Sequence, residues 1–211
     1  MRTYGQYCAL AKALDIVGDR WVLLIVRELL IRGQCRYSDL KAGLPGIATN
    51  LLAQRLRELE EAGVVERASA AAPISAPVYA LTPRGKELEP AIAALGRWAS
   101  PLMGAPAKGD TFQAHWLTLP AELFLADREP KKTAVTIEVR TGEGVVTLET
   151  RKGGVRASLG AADQPDATLS GPPNLVLGLL MGRITMARAR AGGLRYTGRA
   201  LALRRLTRVR E

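Results

Sequence analysis

The chain has 211 residues, 47% of them hydrophobic and 24% charged, a globular balance that excludes a disordered or fibrous protein and leaves room for two ordinary domains. Its net charge of +10 suits a polyanionic partner, yet up to Pro106 there are 13 Lys and Arg against 10 Asp and Glu, and beyond it 17 against 10. The excess therefore leans to the second half and does not locate a binding face.

From Tyr4 to Met103 the pattern is mainly helical. The opening MRTYGQYCAL lacks the apolar core and small-residue cleavage site of a secretory signal, which points to a cytoplasmic protein. Asp19 stands where a cap belongs for a helix through Trp21 to Ile31, apolar nearly all round and so central and buried, with Gly33 as its stop. Arg20 and Arg27 interrupt this richest apolar segment well short of the ~20 residues of a membrane span, so no membrane association is expected. Ser38 is the expected cap of a short helix holding Leu40 and ending near Gly43-Leu44-Pro45-Gly46; a second helix, TNLLAQRLRELEE, follows that tight turn. Val64 to Arg67 and Val78 to Leu81 read as a hairpin around an Ala/Ser/Pro loop. Thr82-Pro83 then opens a helix through Leu88, Ile92, Leu95 and Trp98. The run PLMGAPAKG breaks every period and sets the domain limits at 1–104 and 110–211.

Past the boundary one helix is expected from about Asp110 to Ala126, bent at Pro120. Val135, Ile137 and Val139, then Val146 and Leu148, then Val155, Ala157 and Leu159, alternate with polar residues, as strands of an antiparallel sheet with one wet face do. A strand at Ala167 to Ser170, an apolar helix at Leu175 to Met181, a short strand in LRYTG and a basic terminal helix complete the chain. The fold class is α+β: a winged helix-turn-helix domain, then a domain with an antiparallel sheet covered by helices.

A short helix, a turn, a second helix and a hairpin form the layout in which the second helix enters the DNA major groove. Leu52, Leu56 and Leu59 share one face of that helix, and Asn50, Gln54 and Arg57, at the same spacing, are rotated about 200° from them at ~100° per residue. Amides near a helix start suit adenine edges, which makes Thr49, Asn50 and Gln54 candidates for base reading; Arg36, Arg55 and Arg57 suit phosphates. A polar helix face that is merely solvated is the competing reading.

CALAKALDIVGDRWVLLIVRELL, RYSDLKAGLPGI, LLAQRLRELEEAGVVER and VYALTPRGKEL followed by Trp98 resemble, in this order, the HxlR-type winged-helix regulators of bacteria across about residues 5–103. The resemblance implies a homodimer joined through the first and last helices of the domain, bound to double-stranded DNA at a two-fold operator. The chain departs from the family pattern at Asp19-Arg20, usually Gly-Lys, and at Ala48, usually a capping serine, so that Thr49 becomes the expected cap. Val78 replaces a typical acidic residue and the wing tip has no Lys or Arg, so a weak wing contribution is expected. Cys8 matches a cysteine that some members use to sense electrophiles or oxidants; as residue chemistry it reads either as a redox site with Lys12 nearby or as an inert packed thiol.

In the second half, DATLSG, then LVLGLLMGRITMARARAGGLRYTG and a closing helix, resemble the end of a sterol-carrier-protein-like domain over roughly residues 110–210. That resemblance implies an apolar site for a lipid-like ligand, with Trp116, Leu119, Leu123, Leu177, Leu180 and Met181 as lining residues; plain core is the alternative for each. Arg183, Arg188, Arg190, Arg195 and the terminal arginines are left between a solvated face, an anionic-ligand rim and further DNA contacts. With Cys8, Cys35 and His115 the only thiols and imidazole, there is no Cys/His metal site, no disulfide framework and no nucleophile or phosphate-loop motif, so no cofactor, metal or enzymatic activity is expected. Two other classes remain beside a ligand-responsive regulator: a regulator sensing through Cys8, and a lipid-binding module whose first domain only dimerises.

Overall fold

A computed structural model of the protein describes residues 3–69 and 77–208 and divides the chain into two units, Met1–Arg97 and Trp98–Glu211. The first unit runs α1 (Ala9–Val17), α2 (Val22–Arg32), β1 (Gln34–Arg36), α3 (Tyr37–Gly43), α4 (Thr49–Glu61), β2 (Val65–Ser69), β3 (Pro77–Leu81), α5 (Pro83–Lys86) and α6 (Glu89–Ala99). Its core gathers Val22, Ile25, Val26 and Leu29 from α2 with Leu40, Leu44, Ile47, Leu52, Leu56 and Leu59 from α3, the turn and α4. Burying each such side chain contributes about 1.5–3 kcal/mol, so the leucine stripe of α4 anchors that helix firmly. Gly63 (φ +68) turns the chain back after α4, with the Val64 N–H donating to the Leu59 carbonyl at 2.9 Å.

Several local expectations change. Asp19 does not cap α2 through its side chain; the cap position is Trp21, in the left-handed region at φ 80. The α3 cap is not Ser38 either. The cap position is Arg36, two residues earlier, and the Asp39 carboxylate accepts the Arg36 N–H at 2.9 Å. Thr82 does cap as expected, its hydroxyl oxygen accepting the Gly85 N–H at 3.0 Å. The helix it opens nevertheless stops at Lys86 and restarts at Glu89, because the ring of Pro90 cannot pass the carbonyl four residues earlier. The apolar reading of α2 also overlooks Glu28, fully buried between Arg27 (2.7 Å) and Arg32 (3.4 Å). β1 is absent from the expected elements; it pairs with β3, which also pairs with β2, in the order β1-β3-β2. The wing tip lies outside the described residues.

The second unit has two 3-10 turns (Ser100–Leu102 and Ala114–Leu117) and continues α7 (Thr118–Phe124), β4 (Leu125–Asp127), β5 (Thr136–Thr141), β6 (Gly144–Arg151), β7 (Gly154–Leu159), β8 (Ala167–Ser170), α8 (Pro173–Leu180), α9 (Met186–Ala191), β9 (Arg195–Gly198), α10 (Ala200–Arg205) and β10 (Leu206–Arg208). The expected helix from Asp110 is thus much shorter. Asp110 accepts the Ala107 N–H at 2.7 Å in a turn, and Pro120 falls in the first turn of α7, where its missing N–H costs nothing. The basic terminal helix is likewise only six residues and yields to a strand.

The seven strands stand in the order β10-β4-β7-β6-β5-β8-β9. The sheet is mixed, not antiparallel throughout: β8 runs parallel to β5, with Ile137 beside Ala167 and Val139 beside Leu169. One face carries Ile137, Val139, Val146, Leu148, Ala167 and Leu169, all buried with Val176, Leu180, Ala189 and Ala202 of the helices. On the other face Glu138 is only 1% exposed, because the crossover between β7 and β8 lies there and the Ala162 N–H donates to its Oε2 at 3.2 Å. Arg205 closes the unit. Its Nε and Nη2 hold both oxygens of Asp127 at 3.0 and 2.6 Å, Nη2 also reaches the Glu129 carbonyl at 3.0 Å, and Nη1 donates to the Thr133 carbonyl.

Candidate nucleic-acid interface

The turn between α3 and α4 is fixed from both ends. The Tyr37 hydroxyl donates to the Thr49 carbonyl at 2.6 Å, the Lys41 ammonium donates to the Ile47 carbonyl, and Leu44 and Ile47 are buried beneath. Helix α4 therefore leaves the turn at a set angle, with its leucines inward. Asn50, Gln54 and Arg57 are exposed on the opposite side, as the helical spacing requires, and Thr49 is exposed at the helix start, nearer the leucine side.

Thr49 is the first helical residue and does not cap α4; Ala48 is at the cap position and offers no side-chain acceptor. The Asn50 Oδ1 instead accepts the Leu51 N–H at 2.9 Å, one of the amides a helix start leaves open. An amide oxygen has a second lone pair, so Asn50 can keep this bond while its oxygen and amino group meet a base. Gln54 donates from Nε2 to Glu58 Oε1 at 3.0 Å, which leaves its carbonyl oxygen outward.

The arginines separate. Arg57 is exposed on α4, whereas Arg36 is half-buried at the junction of β1 and α3 and does not belong to the α4 stripe. The Arg55 side chain is 14% exposed and lies 2.6 Å from both Asp19 and Glu58, so its charge is already met within the unit. Sequence reasoning has no signal for this pairing: Asp19 occupies a position that looks like a cap, and no periodicity links it to α4. On the wing, the Arg67 guanidinium stands over the Tyr79 ring at 5.9 Å, and Val78 is buried, which accounts for an apolar residue there.

The two thiols differ sharply. Cys8 is exposed at the start of α1, while Cys35 is 1% exposed in β1, where burial pushes its thiol up to about 12. At pH 8 a thiol-exchange reagent is expected to titrate one cysteine per native chain and two after denaturation. Rapid reaction of both in the native state would contradict the burial of Cys35.

In the second unit Leu180 is buried, and Leu177 and Met181 pack half-buried against the same core. Trp116, Leu119 and Leu123 are half-buried as well but stand outside that cluster, Trp116 meeting Phe112 edge-on at 6.3 Å between ring centroids. His115 is buried beside Trp116, its carbonyl accepting the Thr118 hydroxyl at 2.8 Å. Arg183 donates to the Met103 carbonyl at 3.0 Å, whereas Arg188, Arg190 and Arg195 are exposed. Among the described residues no group of His, Cys, Asp and Glu could hold a metal ion, and no helix is long and apolar enough to cross a membrane.

A family model described as HxlR-like helix-turn-helix matches residues 16–105. The uncharacterized HTH-type transcriptional regulator YvaP of Bacillus subtilis (strain 168) is 42% identical over 89 residues, 42% of this chain and 82% of that protein. A second, the uncharacterized HTH-type transcriptional regulator sll1512 of Synechocystis sp. (strain ATCC 27184 / PCC 6803 / Kazusa), is 34% identical over 96 residues, 46% of this chain and 70% of that protein. Among solved structures, the reduced form of the transcriptional regulator YodB from B. subtilis superposes with a TM-score of 0.41 at 29% identity, over 50% of this chain and 100% of that one.

Proposed function

The chain belongs to the HxlR-like helix-turn-helix family, and from that premise we propose that it is a homodimeric, sequence-specific DNA-binding regulator whose second unit senses a small apolar ligand. The observation that carries the DNA reading is the exposed stripe of Asn50, Gln54 and Arg57 opposite the buried leucines of α4. In this reading Asn50 and Gln54 contact base edges, Thr49 adds a hydroxyl at the helix start, and Arg57 and Arg36 contact phosphates. Arg55 is left out of that set because two carboxylates already hold it.

A second copy is the natural partner for the apolar side chains that the first unit leaves in water. Tyr4, Tyr7, Leu10 and Leu14, on or just before α1, are exposed, as are Leu24 and Leu95. Such a concentration is unusual for a surface that stays free. Pairing two chains would set the separation of two α4 helices, and a ligand can act only by binding one such arrangement more tightly than another. The half-buried Leu177 and Met181, packed against the core that holds Leu180, and the half-buried Trp116, Leu119 and Leu123 outside that core are the residues through which the second unit would meet an apolar ligand. Cys8 supports an alternative trigger, since it is exposed at the cap of the helix that carries Leu10 and Leu14.

Titrating the protein against a duplex from its own upstream region tests the reading. Binding is expected to weaken by orders of magnitude between 50 mM and 200 mM salt, as counterion release requires. No salt-dependent binding at any protein concentration would remove it. Release of the bound duplex by an electrophile from wild type but not from a Cys8→Ser protein would favour the thiol trigger over the ligand.

A further inference from the structure

Helix α4 carries a polar ladder on its flank that reaches back to the turn before α2. Asp19 Oδ2 stands 2.6 Å from Arg55 Nη1, that same nitrogen stands 2.6 Å from Glu58 Oε2, and the other Glu58 oxygen accepts the Gln54 Nε2–H at 3.0 Å. On the helical wheel Arg55 lies toward the leucine stripe, Glu58 between, and Gln54 on the exposed stripe, so the three step across one side of the helix. The turn is itself held in an uncommon shape. Trp21 takes φ 80, the Arg20 guanidinium stands 6.0 Å from its ring centroid, and its ring lies against Gly46 just before α4. A non-glycine residue persists in that region only where its surroundings enforce it. The same turn thus touches the approach to α4 and, through Asp19, its middle.

We propose that Asp19 is a specificity-determining positioning residue that sets, through Arg55 and Glu58, which face of the Gln54 amide is turned to a base. With one N–H committed to Glu58, Gln54 offers its carbonyl oxygen and its remaining N–H to the outside. An adenine edge matches that pair, presenting the N6 amino group as donor and N7 as acceptor. Without Asp19, Arg55 has one acid partner instead of two and draws on both oxygens of Glu58. The Gln54 amide then turns over freely and discriminates less between donor-bearing and acceptor-bearing base edges. Asp19 does not touch the DNA; it acts through Arg55. The inference rests on Gln54 being a base reader, as proposed above.

The test measures affinity for the preferred duplex and for duplexes substituted one base pair at a time, for wild type, Asp19→Asn, Asp19→Glu and Gln54→Ala. Asp19 is largely exposed, so the neutral isostere is expected to fold with an unchanged melting temperature. Gln54→Ala identifies the base pair that Gln54 reads. At that base pair alone, Asp19→Asn is expected to lower discrimination about fivefold or more, the lower end of what a bidentate pair provides, while preference at the other positions stays intact. Asp19→Glu, which keeps the carboxylate, is expected to restore most of it. If Gln54→Ala loses discrimination and Asp19→Asn keeps it within twofold of wild type, the positioning role is overturned and the base reader stands. If Gln54→Ala changes no preference, the base-reading role of Gln54 fails, and the positioning role with it.

Discussion

Replacing Asn50 and Gln54 together by alanine is expected to weaken operator binding by about 2–6 kcal/mol, on the order of thirtyfold or more, because each bidentate amide-to-base pair contributes about 1–3 kcal/mol of discrimination. Both side chains are exposed, so stability should change little, and the leucines that seat α4 are untouched. The loss should fall on specific binding only. Arg57→Ala should behave differently: affinity for every sequence drops, and the slope of log K against log salt becomes shallower by about 0.9 for each phosphate that is no longer neutralised. Anisotropy titrations of specific and scrambled duplexes at several salt concentrations separate the two patterns. A double variant that binds the operator as wild type does would leave the second unit as the functional part and the first as a dimerisation module.

Breaking the Asp127–Arg205 pair is the second large effect. The two side chains are 2% and 6% exposed, so either Asp127→Ala or Arg205→Ala strands a buried charge and is expected to cost the second unit about 3–5 kcal/mol. For a unit of this size that is a fall of roughly 10–20 °C in Tm, read by calorimetry. Replacing both with apolar residues of similar volume, Asp127→Leu with Arg205→Met, should cost less than either single change, since no charge is then left alone. The same pair makes the unit acid-sensitive. Hydrogen bonds from Arg205 hold the Asp127 carboxyl below the usual carboxylate range, so below that range the unfolded chain binds the proton that the folded chain refuses. The stabilisation is present above about pH 4 and is lost as pH falls through the lowered value. The Asp127→Leu and Arg205→Met double variant should lose this component of the acid dependence.

What is legible in the sequence follows the range of each interaction. The leucines of α4, the Gly33 stop and the Thr82 cap are set within a turn or two, and all appear where the residues imply. Asn50, Gln54 and Arg57 are legible for the same reason, since exposure on the face opposite Leu52, Leu56 and Leu59 is a matter of helical spacing. Capping is harder to read because several residues compete for one helix start. Asp39 rather than Ser38 serves α3, and Asn50 rather than Thr49 meets an open amide of α4. Strand alternation reveals which face of the second sheet is buried but not which strand neighbours which, and so misses that β8 runs parallel to β5. Nothing local distinguishes Arg55, held by Asp19 across the unit, from Arg57, open to solvent, or marks Arg205 as buried among exposed arginines.

Selection of bound duplexes from a random pool tests DNA recognition by this chain most directly. Repeated rounds with the purified protein are expected to enrich one motif with two-fold symmetry, its half-sites about one helical turn apart, as two α4 helices in successive major grooves require. The Asn50→Ala and Gln54→Ala double variant, taken through the same rounds, should enrich no such motif. A wild-type pool that stays as diverse as the input, with all sequences bound equally at every salt concentration, would contradict sequence-specific recognition by this protein.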